Sequence, residues 1–500
     1  MMLARNLFFN LVGQVAPLLA AVVAIPLLIQ GMGIERFGVL TIAWMVIGYF
    51  SVFDLGLGRA MTRVVAAKIS LQSHAAIPRV VWTALCLMFV LSLAAGATIV
   101  FLADWLVGSM LKVPFQFAAE TQFAFYLLGA SVPAVILTTG LRGILEAYGR
   151  FDYTNLIRVP MGLWTFLGPL LVLPFSARLD HVVMVLVAGR IVTTLLHIPL
   201  VLRAAPNAFS ERSFDAGQAR ALFAFGGWMT VSNIISPAMV YMDRFFIGAI
   251  LGVGMVAYYT TPYEVVFKLN FFPEAVFGVL FPLMSARLAN QEQDPDHLYS
   301  LGNTLMAAVM FPMTFFLVLG AHDILTVWIG AKFAQESTLI MQILAIGLCI
   351  NSFSKVTFNL LQAKGRADLT AALHIIELPI YLTALWALAH RYGITGAAIA
   401  WALRMALDLL LLSWASSSVA GLSMLSIRKT AILIAAAAVL FAVALSLEGL
   451  TEKISMLLLG ITGYLAGLWK VVMEESDRAE VKRVALASPF GRMVSGGAAR

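Results

Sequence analysis

Long apolar stretches, separated by short polar breaks, occupy almost the whole chain. Uncharged runs of membrane-spanning length lie at 6–34, 80–103, 299–321 and 430–447. An α-helix crosses a hydrocarbon core of about 30 Å with about 20 such residues. The pattern therefore predicts an all-α, polytopic membrane protein.

Fourteen membrane-spanning helices account for these runs and for the less apolar stretches between them. Their approximate bounds are 6–30, 37–57, 80–104, 121–145, 154–175, 181–203, 219–247, 255–286, 298–320, 335–362, 367–389, 394–418, 430–447 and 454–471. The first run is longer than the apolar core of a typical signal peptide, so we expect an uncleaved span there.

Ten residues that follow span 4 return, in similar form, after span 10. They read LEAYGRFDYT at 145–154 and LQAKGRADLT at 361–370, an offset of 216. Because six spans separate the copies, the two halves have the same orientation and would be related by an axis along the membrane normal. We therefore expect an N-terminal six-helix lobe (1–203), a cytoplasmic linker (204–218), a C-terminal six-helix lobe (219–419), two additional spans (420–472) and a cytoplasmic tail (473–500).

The distribution of basic residues supports this topology. With a cytoplasmic amino terminus, 22 of the 33 Lys and Arg residues fall on inner loops and tails, 7 on outer loops and 4 inside spans. Such an excess on one side is the positive-inside signal of membrane proteins, and an even number of spans places both termini in the cytoplasm. The net charge of +7 is thus explained by topology, and no nucleic-acid partner is expected.

Composition and motifs argue against catalysis. The chain is 61% hydrophobic and 12% charged, and its longest polar stretches, 204–218, 287–297 and 473–500, are too short for a catalytic domain. There is no Gly-Lys dipeptide, hence no Walker A loop, and no metalloprotease, paired-cysteine or nucleophile-elbow motif. We expect a non-enzymatic chain that needs no cofactor and no metal.

Charged residues inside the spans are candidates for function, because a charge buried in lipid is costly unless it is paired or hydrated. The candidate substrate-binding residues are Arg190, Lys268, Lys355 and Arg404, and the candidate coupling residues are Glu264, Glu377 and Asp408. Alternatively, Glu264 with Lys268, and Arg404 with Asp408, neutralise each other as i,i+4 neighbours. Arg190 and Lys355 have no carboxylate at helical spacing in their own spans and are therefore the better candidates for contacting an anion.

Span 8 carries three prolines, Pro262, Pro273 and Pro282. A proline removes a backbone hydrogen bond and its ring clashes with the preceding turn, so this span is expected to be kinked or interrupted. The interruption would serve either a moving element with an ion site or a static bend.

The repeated polar segments predict turns. Gly149 and Gly365 are expected to end one helix, and the aspartate three residues later is expected to cap the next. We interpret them as structural turns, with an inner gate as the alternative. The candidate gate or turn residues, including two that follow span 2, are Asp54, Arg59, Arg150, Asp152, Arg366 and Asp368.

Short glycine-based motifs resemble those of a known family. They are PLLIQGMG at 26–33, ERFG at 35–38, DLGLGR at 54–59 and AYGRFD at 147–152. In these motifs and in its layout, the chain resembles the Wzx-like oligosaccharide flippases of polysaccharide biosynthesis.

The resemblance implies the fold of the multidrug/oligosaccharidyl-lipid/polysaccharide exporter superfamily, in which two six-helix lobes work by alternating access. It implies a polyprenyl-pyrophosphate-linked glycan as substrate, moved across the bacterial cytoplasmic membrane for O-antigen or exopolysaccharide synthesis. Membrane lipids, a glycan polymerase and chain-length machinery would be partners. Cationic cavity residues would bind the pyrophosphate or acidic sugars, and the four basic span residues named above could do so here.

Two other functions stay open from the sequence. A cation-coupled drug or organic-cation antiporter of the same fold would need a cavity dominated by acidic groups, whereas the charges in these spans are mixed. A membrane-bound glycan polymerase or ligase would need a large polar outer loop. The longest outer stretch, 104–120, contains only Asp104, Lys112 and Glu120 as charged residues.

Overall fold

The structure, a computed structural model, describes residues 2–50, 54–289, 294–419, 421–473 and 478. For 2–15, 49–50, 223–238, 289 and 471–472 it describes the backbone alone. The predicted tail at 473–500 therefore lies outside the described residues, except for 473 and 478. Every regular element in the described ranges is helical, which confirms the all-α prediction.

Fifteen α-helices follow one another along the described chain. They are α1 Met2–Met32, α2 Ile34–Phe50, α3 Leu57–Ser70, α4 Ile77–Trp105, α5 Phe115–Ala147, α6 Phe151–Val172, α7 Leu179–Ala204, α8 Ala216–Leu251, α9 Val253–Lys268, α10 Phe271–Ala289, α11 Pro295–Trp328, α12 Ala331–Ala363, α13 Ala367–Val419, α14 Met424–Leu445 and α15 Leu450–Gly467. Single π-helical turns at Leu106–Met110 and Leu468–Val472 extend α4 and α15.

Nine helical stretches of the described chain are long and apolar enough to cross a membrane. Each of the fourteen predicted spans overlaps a helix of the structure, although the number fourteen stays a prediction. The hydrophobic pattern did not predict α3, a helix of 14 residues that carries Arg59, Arg63 and Lys68. Its charges exclude it from the apolar windows by which spans are recognised.

The contacts divide the chain into two compact units, Met1–Thr260 and Thr261–Arg500. In the first unit α5 packs against α4 and α7, α6 packs against α1 and α7, and α8 packs against α2, α3 and α4. In the second unit α12 packs between α11 and α13, and α14 and α15 lie against α11. The predicted lobe boundary at 204–218 remains a prediction.

The linker 204–218 is tied to the start of α4. Arg79 donates two hydrogen bonds to Glu211 Oε1, at 2.8 and 2.6 Å. These bonds hold the pKa of the Glu211 carboxyl below its usual range. The backbone N–H of Asp215 donates to Thr83 Oγ1 at 3.1 Å, and its carboxylate then caps α8 by accepting from the Gln218 N–H.

Two breaks give the second unit its local shape. Within α13, Gly393 has φ = 61° and ψ = −143°, a conformation that favours glycine, and it separates the helix into two halves. The other break falls at residues 269 and 270, between α9 and α10, where Pro273 is the third residue of the new helix. Proline is tolerated in a first helical turn, so the predicted interruption of span 8 is found just before it.

An aromatic cluster attaches the two last helices to the second unit. Phe311 on α11 stacks on Tyr464 of α15, with ring centroids 3.8 Å apart, and lies 5.6 Å from the Phe441 ring of α14. Gly460 provides the space, because a Cβ there would lie 2.7 Å from Phe315 Cε1. Aromatic pairs at such distances add to the free energy of burial.

Two glycines set the distance between α4 and α5. A Cβ on Gly96 would lie 2.5 Å from the Gly129 carbonyl oxygen, and a Cβ on Gly129 would lie 2.8 Å from the Gly96 carbonyl oxygen. Small residues at such crossings let helix backbones approach closely in membranes, where apolar burial gives no extra driving force between helices. This crossing holds α5 in place, and α5 carries part of the site described below.

Gly129→Ala is therefore expected to lower the thermal unfolding temperature of the detergent-purified protein. Overpacking of this kind costs roughly 1–3 kcal/mol, more than the gain in helix propensity from alanine. The matched control is Gly463→Ala in α15, where a Cβ would meet no atom within 4 Å. If both variants unfold at the same temperature as the parent chain, the crossing does not depend on Gly129.

Candidate functional site

A cavity of about 220 Å³ lies among α5, α6 and α7 in the first unit. Among the described residues that line it are three arginines and one histidine, but no carboxylate. Its polar lining consists of Thr138 and Arg142 from α5, Thr154, Arg158 and Thr165 from α6, and Arg190, Thr193 and His197 from α7. The cavity is therefore suited to an anion.

Helical spacing places these side chains on common faces. On α6, Thr154, Arg158 and Thr165 follow one another at intervals of four and seven residues. On α7, Arg190, Thr193 and His197 are spaced by three and four. Residues three, four or seven positions apart lie on the same side of an α-helix, so each helix presents one polar stripe to the cavity.

Threonine hydroxyls fix the three helices relative to one another. Thr194 Oγ1 lies 2.8 Å from Thr138 Oγ1 and donates to the Ala134 carbonyl at 2.9 Å, which joins α7 to α5. Thr193 Oγ1 donates to Met161 Sδ at 3.1 Å, which joins α7 to α6. The cavity walls are thus held by specific bonds rather than by apolar contact alone.

Arg190 lies near the middle of α7 and is half-buried. Its Nε is buried without a hydrogen-bond partner among the described residues. A guanidinium in this position loses hydration and gains no protein partner, which is unfavourable in a membrane protein. An anion in the cavity would supply the missing acceptor.

The other two arginines are accessible. Arg158 is exposed, and Arg142 is exposed with its Nε 3.5 Å from Glu146 Oε1. An exposed i,i+4 pair of this length is weak and easily exchanged for a stronger acceptor. His197 is buried behind them, with its Nδ1 2.8 Å from the Thr193 carbonyl oxygen. The cavity thus combines an exposed cationic mouth with the buried Nε of Arg190.

The second unit contains a different set of charges. Arg404 Nε lies 4.0 Å from Glu377 Oε2, and His374 Nε2 lies 3.5 Å from Asp408 Oδ1. The break at Gly393 makes this possible, because it lets the two halves of α13 face each other. Arg404 therefore faces Glu377 on the other half of α13, whereas the pair considered from the sequence was with Asp408.

Three possible ligand atoms lie within 4.8 Å of one another, one each from His374, Glu377 and Asp408. Both oxygens of the Glu377 carboxylate are buried and make no hydrogen bond with any described residue. Such a group can hold a proton or a small cation, but the neighbouring Arg404 guanidinium competes with a metal for the same carboxylate. This set suits reversible binding of a proton or cation better than a resident metal.

The two lysine candidates each have a partner outside the cavity among α5, α6 and α7. Lys268 Nζ lies 3.9 Å from Glu264 Oε2, an exposed i,i+4 pair. Lys355 Nζ donates to Asn270 Oδ1 at 2.7 Å, at the break between α9 and α10. Neither lysine lines the cavity among α5, α6 and α7.

The two repeated turns have the same geometry. Arg150 donates two hydrogen bonds to Asp152, at 3.0 and 2.9 Å, and Arg366 donates two to Asp368, both at 3.0 Å. Each pair is closed within three residues and is exposed to solvent. Among the described residues, the side-chain hydrogen bonds of each pair stay within its own turn.

The turn after α2 is built differently. The buried Asp54 carboxylate accepts the backbone N–H groups of Gly56 at 2.9 Å and Gly58 at 3.0 Å. Gly58 has no room for a side chain, since a Cβ would lie 2.6 Å from Asp54 Oδ2. Arg59, in the first turn of α3, is exposed. Asp54 thus fixes the start of α3.

Arg190 was predicted from the sequence as a candidate substrate-binding residue, but the cavity residues around it were not. Arg142 and Arg158 lie near predicted inner helix ends, where the positive-inside rule already accounts for a basic residue. His197 appeared as one of seven scattered histidines. Their shared spacing with Thr138, Thr154 and Arg190 on three helix faces was the available signal.

Comparison with known proteins gives consistent results. Residues 32–338 match the family described as "Polysaccharide biosynthesis protein". A Shigella flexneri protein named as a candidate O-antigen transporter is 33% identical over 419 residues, which cover 83% of this chain and 97% of that protein. A Haloferax volcanii protein named as a probable low-salt glycan biosynthesis flippase is 28% identical over 58% of this chain and 60% of that protein.

Two solved structures share the fold. An inward-facing multidrug resistance MATE family transporter of the MOP superfamily superposes with a TM-score of 0.69 at 15% identity, covering 82% of this chain and 98% of that chain. The lipid II flippase MurJ, in an inward closed conformation, gives a TM-score of 0.61 at 11% identity and covers 89% and 98%. The fold expected from the sequence is therefore confirmed, and the chain belongs to the polysaccharide biosynthesis protein family.

Proposed function

We propose that the chain is a flippase that moves a polyprenyl-pyrophosphate-linked oligosaccharide across the bacterial cytoplasmic membrane, for the synthesis of surface polysaccharide. The observation that carries this proposal is the cationic cavity among α5, α6 and α7, which has no carboxylate among its described lining residues. The names of the Shigella and Haloferax relatives, an O-antigen transporter and a glycan flippase, support the same substrate class.

The cavity chemistry fits a pyrophosphate. Arginine presents several N–H donors in a plane and forms charge-assisted hydrogen bonds to phosphate oxygens. Arg190 supplies a buried donor, Arg142 and Arg158 supply exposed donors, and threonine hydroxyls can bind the remaining oxygens. The anion would thus compensate the cost of keeping Arg190 in the span.

The topology sets where the substrate would enter. Arg142 and Arg158 lie near the end of α5 and the start of α6, which the positive-inside distribution places on the cytoplasmic side. We infer that the pyrophosphate loads from the inner leaflet. Two six-helix lobes, 1–203 and 219–419, would then alternate between inward and outward access, with both chain termini in the cytoplasm.

The buried cluster in α13 is the proposed coupling site. Glu377 faces Arg404 at 4.0 Å, and Asp408 lies close to His374 at 3.5 Å. A proton or cation bound by Glu377 or Asp408 would weaken the attraction between Glu377 and Arg404. An ion gradient could drive transport by this exchange.

An organic-cation antiporter would need acidic groups in its cavity, and the cavity among α5, α6 and α7 has none among its described lining residues. A glycan polymerase and chain-length machinery are the partners that would consume the flipped product. Membrane lipids would surround the exposed apolar side chains of the helices.

The function is tested by deleting the gene. Lipid-linked glycan is expected to accumulate on the cytoplasmic leaflet, because its passage to the outer leaflet stops. Labelling of glycan in intact cells and in inverted membrane vesicles measures the two pools. Normal outer-leaflet exposure in a strain without a redundant transporter would exclude the proposed function.

Arg190→Glu is expected to reduce flipping in proteoliposomes by about ten- to a hundredfold, because reversal removes charge-assisted bonds and adds repulsion. Flipping is measured as protection of a fluorescent lipid-linked glycan from an external quencher. Lys332→Glu, on an exposed residue at the start of α12, is the matched charge control. Lys355→Glu tests the other predicted cation in the same assay. Unchanged flipping by Arg190→Glu would assign that arginine a structural role.

Glu377→Gln is expected to abolish the part of transport that an imposed ion gradient stimulates, while binding of lipid-linked glycan is retained. The amide keeps the shape of the side chain but cannot gain or lose a proton near neutral pH. Transport with and without a proton or sodium gradient measures the effect, and Glu336→Gln on the exposed face of α12 is the control. Full gradient stimulation in the Glu377 variant would contradict the coupling role.

A further inference from the structure

A second and larger cavity, of about 490 Å³, forms a groove between α6 and α7. Its sides are apolar, with Leu156, Pro160 and Trp164 from α6 facing Leu196 and Leu200 from α7. The one charged side chain among its described lining residues is Arg203, at the end of α7. The groove therefore offers a hydrocarbon surface with a cation at one end.

The groove and the cationic cavity share a wall. Ile157, Met161 and Thr193 line both spaces, and all three are buried. Thr193 Oγ1 on α7 donates to Met161 Sδ on α6 at 3.1 Å, and this bond connects the two helices within the wall. The apolar groove and the arginine-lined cavity therefore adjoin each other at these side chains.

The groove runs along the helices rather than across them. Its lining on α7 extends from Ala188 to Arg203, which corresponds to about 22 Å of helix at 1.5 Å per residue. A hydrocarbon core is about 30 Å thick, so the groove is longer than the depth of one leaflet. A chain lying in it would point from the membrane surface toward the bilayer interior.

Trp164 lines the far end of the groove. Its indole ring covers Gly189, where a Cβ would collide with the ring, and its Nε1 donates to the Val185 carbonyl oxygen at 3.0 Å. The near end contains Arg203. A short connection joins α6 to α7 and the two helices pack together, so they run antiparallel and the start of α6 lies beside the end of α7. Arg158 and Arg203 are therefore both nearer to this end of the helix pair than to the end where α6 meets α7.

We propose that this groove binds the isoprenoid chain of the same lipid whose diphosphate occupies the cationic cavity. The inference rests on the proposed function and adds a binding site for the lipid portion of the substrate. A neutral lipid would fill the groove but leave the Nε of Arg190 without an acceptor. An anionic isoprenoid satisfies both adjoining surfaces at once.

Two neighbouring leucines provide a matched test. Leu196 lines the groove and is 51% exposed, whereas Leu195 is 59% exposed on the same helix and lies outside the groove. Leu196→Trp would fill the groove with an indole ring, and Leu195→Trp would place the same ring elsewhere on α7. Leu200→Trp, also in the groove, replaces Leu196→Trp if that variant does not purify as a monodisperse protein.

Binding is measured with undecaprenyl diphosphate and with inorganic pyrophosphate, on detergent-purified full-length protein. Leu196→Trp is expected to weaken binding of undecaprenyl diphosphate about tenfold. The indole ring would occupy the groove, so the isoprenoid chain would lose apolar contact with its walls. Pyrophosphate has no chain, so its affinity should stay unchanged in both tryptophan variants. Arg190→Glu should weaken the binding of both probes.

The outcomes separate this inference from the proposed function. Equal affinities of the Leu196 and Leu195 variants for undecaprenyl diphosphate would overturn the groove assignment while leaving the flippase proposal intact. If Leu196→Trp weakened binding of phosphatidylglycerol as much as binding of undecaprenyl diphosphate, the groove would not be specific for an isoprenoid chain. Absence of undecaprenyl diphosphate binding by the parent chain, together with normal glycan exposure in the deletion strain, would overturn the flippase itself.

Discussion

The cost of holding an ionised side chain inside a membrane is the constraint on which the sites of this protein depend. A guanidinium at mid-membrane depth must find an anion, a carboxylate or water. Arg404 meets this requirement partly through Glu377, at 4.0 Å. Arg190 does not meet it through any described residue, and its Nε stays buried without an acceptor. Stability alone would favour an apolar residue at such a position. A bound anion would compensate this cost, as the proposed function requires.

The fold was largely predictable because the bilayer permits few solutions. Backbone groups in hydrocarbon must be paired within the chain, so long apolar runs form helices regardless of finer preferences. The break before Pro273 and the break at Gly393 also had signals, in a proline and in a glycine at a predicted span boundary. Helix α3 was missed because its spacing is amphipathic and its charges remove it from apolar windows. The close α4–α5 crossing at Gly96 and Gly129 depends on which helices pack together, and single-sequence patterns do not contain that information.

The candidate site was less predictable, for a related reason. Sequence spacing identifies a charge that has no partner on its own helix, and Arg190 was predicted on that basis. It does not identify a partner on another helix. Arg142 and Arg158 join Arg190 only through the packing of α5 and α6 against α7. Glu377 meets Arg404 only because the chain reverses at Gly393. Pairing at i,i+4 is a local rule, and both of these contacts are tertiary.

The repeat and the sites now have separate physical explanations. Each Arg-x-Asp turn forms two hydrogen bonds within three residues, so it needs no neighbour and takes the same geometry at 150–152 and at 366–368. The partners of a charged side chain in a site come from the helices packed around it, and these neighbouring side chains differ between the two units. The first unit has a cationic cavity without a carboxylate among its described lining, and the second has a carboxylate–histidine–arginine cluster. An anion would be favoured at the first and a proton or cation at the second. The two units would therefore contribute different properties under the proposed function, anion binding in the first and ion coupling in the second, while the two turns stay alike.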